Sequence, residues 1–183
     1  MKKNYNFTVK QQSEDDNCFT IKGLASTHAK DLHNDIIMPG AFTESLSKRM
    51  PVILYQHNQR EPIGVAKCWE VEDGLMLEGA LPKDDSLVKG RIMPQINAGS
   101  LRGLSVGMYV DSSDVKYDDQ KDAYLIGKAE LYEVSLVTFP ANEGAYLTDC
   151  SKMSCKDLHN IATINKYDKM CKHIDKAIAE LGA

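Results

Sequence analysis

The chain has 183 residues, a formal net charge of −4, 43% hydrophobic and 26% charged residues. That balance fits one globular domain, alone or with an appendage, and excludes a disordered, collagenous or multi-domain chain. The basic excess of a nucleic-acid binder is missing, and the longest apolar runs fall far short of the ~20 residues of a membrane span. Residues 1–16 carry two early lysines but no apolar stretch, so they do not read as a signal peptide. Five cysteines (Cys18, Cys68, Cys150, Cys155 and Cys171) form no CxxC pair and are expected as reduced thiols of a cytosolic protein.

Most of the first 150 residues read as short strands. Alternation marks Asn6 to Lys10 and Cys18 to Ser26, and an apolar run covers Pro51 to His57. Pro39-Gly40 precedes a helical spacing of Phe42, Leu46 and Met50. Ile63 to Val71 and Leu75 to Leu81 flank Glu72-Asp73-Gly74, a hairpin signal. Asp84 to Asn97 reads as a second helix, broken or kinked at Pro94. Leu101 to Val110 and Ala123 to Phe139 are further strand candidates, separated by the polar loop Asp111 to Asp122. The pattern predicts a mainly β domain with helices, built as a barrel or sandwich.

Composition changes near Asp149. Residues 151–183 hold six lysines against four acidic residues, whereas residues 1–150 hold 16 basic and 22 acidic residues. Leu158, Ile161, Ile164, Cys171, Ile174, Ile178 and Leu181 recur mostly every three or four residues, which predicts an amphipathic helix. The expected division is a β domain at 1–150 and a basic helical extension at 151–183.

Gly103-Leu104-Ser105-Val106-Gly107 matches the G-x-S-x-G of a nucleophile elbow. The residues after Ser105 read as strand rather than helix, and no β-α-β alternation supports an α/β-hydrolase. A serine nucleophile still needs a base. His28 and His33 lie in a polar loop, and His159 and His173 lie in the basic tail. His57 closes the apolar run VILYQH, on the face of Ile53 and Tyr55 by period-2 counting. A base also needs an orienting carboxylate. Glu133 sits in the apolar run ELYEVSLV, where Leu131, Glu133, Ser135 and Val137 would share a face. A carboxylate there needs a partner, because burying an unpaired charge is costly. Glu130 falls on the other face. The spacing of His28, His33 and Asp35 matches no zinc motif, and neither a metal nor a cofactor is expected.

Four blocks carry a family resemblance. They are Gly23-Leu24-Ala25-Ser26 with the segment from Asp35 to Phe42; Ile53 to Asn58 with Pro62-Ile63-Gly64; Gly103 to Gly107; and Leu131 to Asn142. In this order, over about residues 18 to 148, the chain resembles the head maturation (prohead) serine proteases of tailed phages and prophages. The resemblance implies a fold related to the herpesvirus assemblins, a β-barrel surrounded by helices. It implies Ser105 as nucleophile, His57 as general base and then acid, and Glu133 as the third member, where assemblins use a second histidine.

It further implies an endopeptidase that cleaves the scaffold segment of the major capsid protein, and itself, within a procapsid in the bacterial host cytoplasm. Self-association, as a homodimer or a higher assembly, is expected by the same likeness, with neither a nucleic acid nor a membrane as partner. The alternatives are an inactive scaffolding or capsid-assembly protein of the same fold, and an esterase resting on the elbow pattern alone. Asn142 and the block around Asp35 are expected to be structural, the latter as a turn and helix start.

Overall fold

This computed structural model describes residues 8–10 and 17–153. Its strands are β1 (Thr8–Lys10), β2 (Cys18–Thr27), β3 (Asp35–Ile37), β4 (Val52–Tyr55), β5 (Asn58–Val71), β6 (Gly74–Pro82), β7 (Gly103–Tyr109), β8 (Val115–Asp118), β9 (Ala123–Ile126), β10 (Glu130–Val137) and β11 (Leu147–Met153). Helix α1 (Thr43–Lys48) lies between β3 and β4, and α2 (Met93–Asn97) lies between β6 and β7.

The large sheet runs β1-β11-β2-β6-β5-β4-β10-β7, and a small sheet runs β3-β9-β8. β4 and β10 are parallel, whereas β10 and β7 are antiparallel. The large sheet curls into a half-barrel that is stitched at one end. There Gly103 bridges Tyr146, Leu104 N–H donates to the Ala145 carbonyl, and Leu24 N–H donates to the Tyr146 carbonyl. The β7 edge thereby returns to β2.

Inside the curl, Ile21, Ile53, Leu77, Leu81, Leu104, Leu131, Val134 and Leu136 form one buried cluster. Val88, Ile92 and Ile96 join it from the segment between β6 and β7. Removing such surfaces from water is the main favourable term of the fold.

The predicted hairpin is present, with Val71 paired to Gly74 and Gly74 at φ +143°. The helix expected over Asp84 to Asn97 is a π-helical turn at Val88–Ile92 that passes into α2. Pro94 lies just after the π-helical turn, so the interruption expected at the proline takes the form of a change of helical pitch within one continuous helical segment. The single run expected from Ala123 to Phe139 is two strands in different sheets. Gly127 N–H turns to the Asp114 carbonyl and Ala129 N–H to the Ala41 carbonyl, which ends β9 and starts β10 afresh.

Asp35 belongs to a strand, β3, rather than only to a turn. β11 continues through Ser151–Met153, so the compositional boundary at residue 150 falls within a strand. The rest of the expected C-terminal helix lies outside the described residues. Among the cysteines, Cys68 is a free thiol as expected, but Cys18 is disulfide-bonded. Spacing alone could not reveal that bond, because the fold decides which thiols meet.

Candidate active site

β4, β10 and β7 lie side by side; β7 carries Ser105, β10 carries Glu133, and the turn after β4 carries His57. Ser105 is opposite Ser135, and Gly107 is opposite Glu133. Directly opposed residues point to the same face. Ser105, Gly107, Glu133 and Ser135 therefore share one face of the sheet. Leu104, Val106 and Met108, by contrast, turn to the core. The site thus lies on the face of the sheet turned away from the core.

A bulge between Leu131 and Glu133 decides which way the carboxylate points. It admits an extra residue and changes the alternation. Leu131 consequently packs in the core with Val134 and Leu136, not on the face of Glu133 as period-2 counting had it. Glu133 is only 8% exposed. Both glycines of the GLSVG motif are explained by contacts behind the serine. A Cβ on Gly107 would lie 2.1 Å from Glu133 Oε1, and one on Gly103 would lie 2.7 Å from the Val137 carbonyl oxygen. Gly107 thus makes the seat for the carboxylate.

His57 departs from its expected place. β4 ends at Tyr55, and Gln56-His57 form a tight two-residue connection with φ +54° and +58°. Tyr55 pairs with Asn58 across it. A turn with two left-handed residues matches the twist of a hairpin, but its usual signal is Asn-Gly or Asp-Gly. Two non-glycine residues in this conformation cost roughly 1–3 kcal/mol each. Hydrogen bonds to β10 hold them. Gln56 N–H donates to the Leu136 carbonyl at 3.0 Å, and the Gln56 amide donates to Thr138 Oγ1 at 2.8 Å.

The imidazole then reaches the carboxylate. His57 Nδ1–H donates to Glu133 Oε1 at 2.6 Å. A carboxylate on Nδ1 fixes the tautomer and leaves Nε2 as the acceptor. The bond to Glu133 raises the His57 pKa above its usual value, against the opposing effect of partial burial. The ring remains 45% exposed, while the Glu133 side chain is 11% exposed. Ser135, fully buried, completes the cluster. Its Oγ accepts from His57 N–H at 3.0 Å and donates to Glu133 Oε2 at 2.8 Å.

Ser105 is half-buried, and its Oγ makes no hydrogen bond among the described residues. Catalytic bonds of this kind often close only when substrate is bound. Elsewhere, burial pushes the Cys68 thiol up to about 12, so it offers no thiolate nucleophile at neutral pH. Glu130, the other carboxylate of β10, lies at the surface and pairs with Lys48 and Arg49. His28 Nδ1 lies 2.7 Å from the Ile37 carbonyl oxygen, and Asn142 ties its loop to Thr27 and Ala29. Their contacts are those of structural residues. His159 and His173 lie outside the described residues. Sequence reasoning assigned no role to Ser135; the available signal was a small hydroxyl two residues beyond a buried carboxylate.

The sequence of this half-barrel matches a known family. The caudovirus prohead serine protease family matches residues 6–162, and the chain belongs to it. The prohead protease of Escherichia phage T5 is 33% identical over 144 residues, covering 75% of this chain and 65% of that protein. A capsid polyprotein of Pseudomonas phage PAJU2 is 30% identical over 148 residues, covering 77% of this chain and 21% of that protein. The chain therefore spans less than two thirds of each of these relatives. Among solved structures, the protease of Kaposi's sarcoma-associated herpesvirus (KSHV), in complex with a hexapeptide phosphonate inhibitor, has a TM-score of 0.52 at 15% identity. That match covers 71% of this chain and 63% of that one. The likeness establishes the shared assemblin-like fold.

Proposed function

We propose that the chain is a serine endopeptidase of phage head maturation, with Ser105 as nucleophile, His57 as general base and acid, and Glu133 as the orienting carboxylate. The observation that carries this reading is the 2.6 Å bond between His57 Nδ1 and a nearly buried Glu133. It lies one strand from a serine that shares the same face.

In this reading His57 Nε2 takes the Ser105 proton as Oγ attacks a peptide carbonyl. The resulting imidazolium is stabilised by Glu133 and passes its proton to the leaving amine as the C–N bond breaks. Water, deprotonated by His57, then attacks the acyl-enzyme and restores Ser105. A lone serine hydroxyl is a weak nucleophile, and general-base help is worth about 10²–10⁴-fold.

The substrates in this proposal are the scaffold segment of the major capsid protein and the protease's own chain, cleaved within the procapsid in the host cytoplasm. Family membership and the relative named as a capsid polyprotein support the first substrate. A homodimer is part of the same proposal. Co-expression with the capsid protein of the same genome, followed by mass spectrometry, tests it. Cleavage by the wild type, lost in Ser105→Ala, is the expected result. Equal cleavage by both removes Ser105 from the mechanism, and cleavage by neither favours an inactive assembly protein of the same fold.

A further inference from the structure

We propose that Ser135 is a positioning residue of this site, a hydroxyl that couples the main chain of His57 to the carboxylate of Glu133. The inference rests on the triad reading above and adds a fourth residue to it.

The geometry is specific. The Ser135 side chain has no solvent exposure, so water cannot satisfy its hydroxyl. Both hydrogen-bonding capacities are used within the site. It accepts from the His57 N–H at 3.0 Å and donates to Glu133 Oε2 at 2.8 Å. The other carboxylate oxygen, Oε1, receives His57 Nδ1–H at 2.6 Å. His57 is therefore held at two points, main chain and ring, and both lead to Glu133.

Each connection answers a local need. His57 stands at φ +58°, a conformation that must be over-determined by its surroundings to persist. The bonds of Gln56 anchor only the preceding residue. Without the Ser135 hydroxyl, the His57 N–H loses its acceptor. Glu133 in turn lies against Gly107, in the space that a Cβ there would fill. The Ser135 O–H fixes which oxygen is left for the imidazole. Because Ser105 is the cross-strand partner of Ser135, the same strand position also sets the distance from nucleophile to base.

A hydroxyl that merely satisfied buried polar atoms would affect folding without changing the imidazole. The test is an NMR titration of the full chain labelled at histidine, with His57 assigned by the signal lost in His57→Gln. Wild type is compared with Ser135→Ala, with Ser135→Cys, which keeps most of the volume but bonds weakly, and with Ser135→Thr, which keeps the hydroxyl. The wild-type His57 should titrate above the ordinary value of 6.5, because Glu133 raises it.

In Ser135→Ala and Ser135→Cys the value should fall toward 6.5 as the ring loosens from Glu133. The rate of Ser105 labelling by a phosphonofluoridate should fall roughly 10- to 100-fold, as expected for a misplaced catalytic group. Ser135→Thr should retain both properties. An unmoved His57 titration in the folded variants overturns the inference, and so does failure of both Ala and Cys variants to fold. The titration needs no turnover. Wild-type protein that is not labelled at Ser105, yet shows the shift, counts against the proposed activity alone.

Discussion

The first residue of β10 and its middle carry the same kind of side chain in opposite circumstances. Glu130 lies at the surface between Lys48 and Arg49, at 3.1 and 2.6 Å, and Arg49 also stacks over the exposed Tyr132 ring. The Lys48 and Arg49 charges hold its carboxyl below the usual carboxylate range. Glu133, three residues on, lies almost buried against Gly107 and is bonded to one imidazole and one hydroxyl. The bulge between them separates the two settings. Charge alone therefore does not nominate an orienting carboxylate. What distinguishes Glu133 is a partner that can carry a proton, together with the exclusion of competing cations.

That contrast is testable by substitution. The largest effect belongs to the proposed nucleophile: Ser105→Ala should lower peptide cleavage by roughly 10⁴-fold or more, read by product formation against wild type. Glu133→Gln keeps the shape but removes the charge, and should cost about 10²–10⁴-fold in kcat with the fold retained by circular dichroism. Gly107→Ala puts a methyl where the carboxylate lies, and a displacement near 1 Å should cost about 10²-fold. Glu130→Gln, at the first position of the strand, should leave the cleavage rate unchanged. A loss there comparable to that of Glu133→Gln would erase the distinction between the two positions.

The pH profile sharpens the same comparison. His57 must be neutral to accept a proton, and Glu133 raises its pKa. The acid limb of kcat/KM should therefore lie above 6.5 in wild type and move down in Glu133→Gln. The linked stability has a definite sign. A raised histidine pKa stabilises the fold fully below the unfolded value, and this contribution is lost as pH rises through the folded value. Thermal unfolding followed from pH 5 to 9 should show that loss in wild type and less of it in Glu133→Gln.

Much of this arrangement was legible in the sequence. Alternation marked β2, because a half-buried strand must change face at every residue, and a hairpin signal marked the join of β5 and β6. Glu133 stood out because a carboxylate within an apolar run needs a partner. The His57 turn was less legible. Gln-His lacks the glycine or asparagine that announces two left-handed residues, and only bonds to β10 hold it there. Leu131 was placed on the wrong face because a single inserted residue reverses the parity of everything before it. What lies beside the two glycines around Ser105 was not legible. The space is taken by Glu133 and by the segment after β10, a long-range fact that no local pattern records.

The most direct measurement is covalent labelling by a phosphonofluoridate, mapped by peptide mass spectrometry in wild type and in His57→Ala. The account predicts one adduct, on Ser105, that forms in wild type and is lost when the imidazole is removed. An adduct on another residue, or Ser105 labelling at an equal rate without His57, would contradict it.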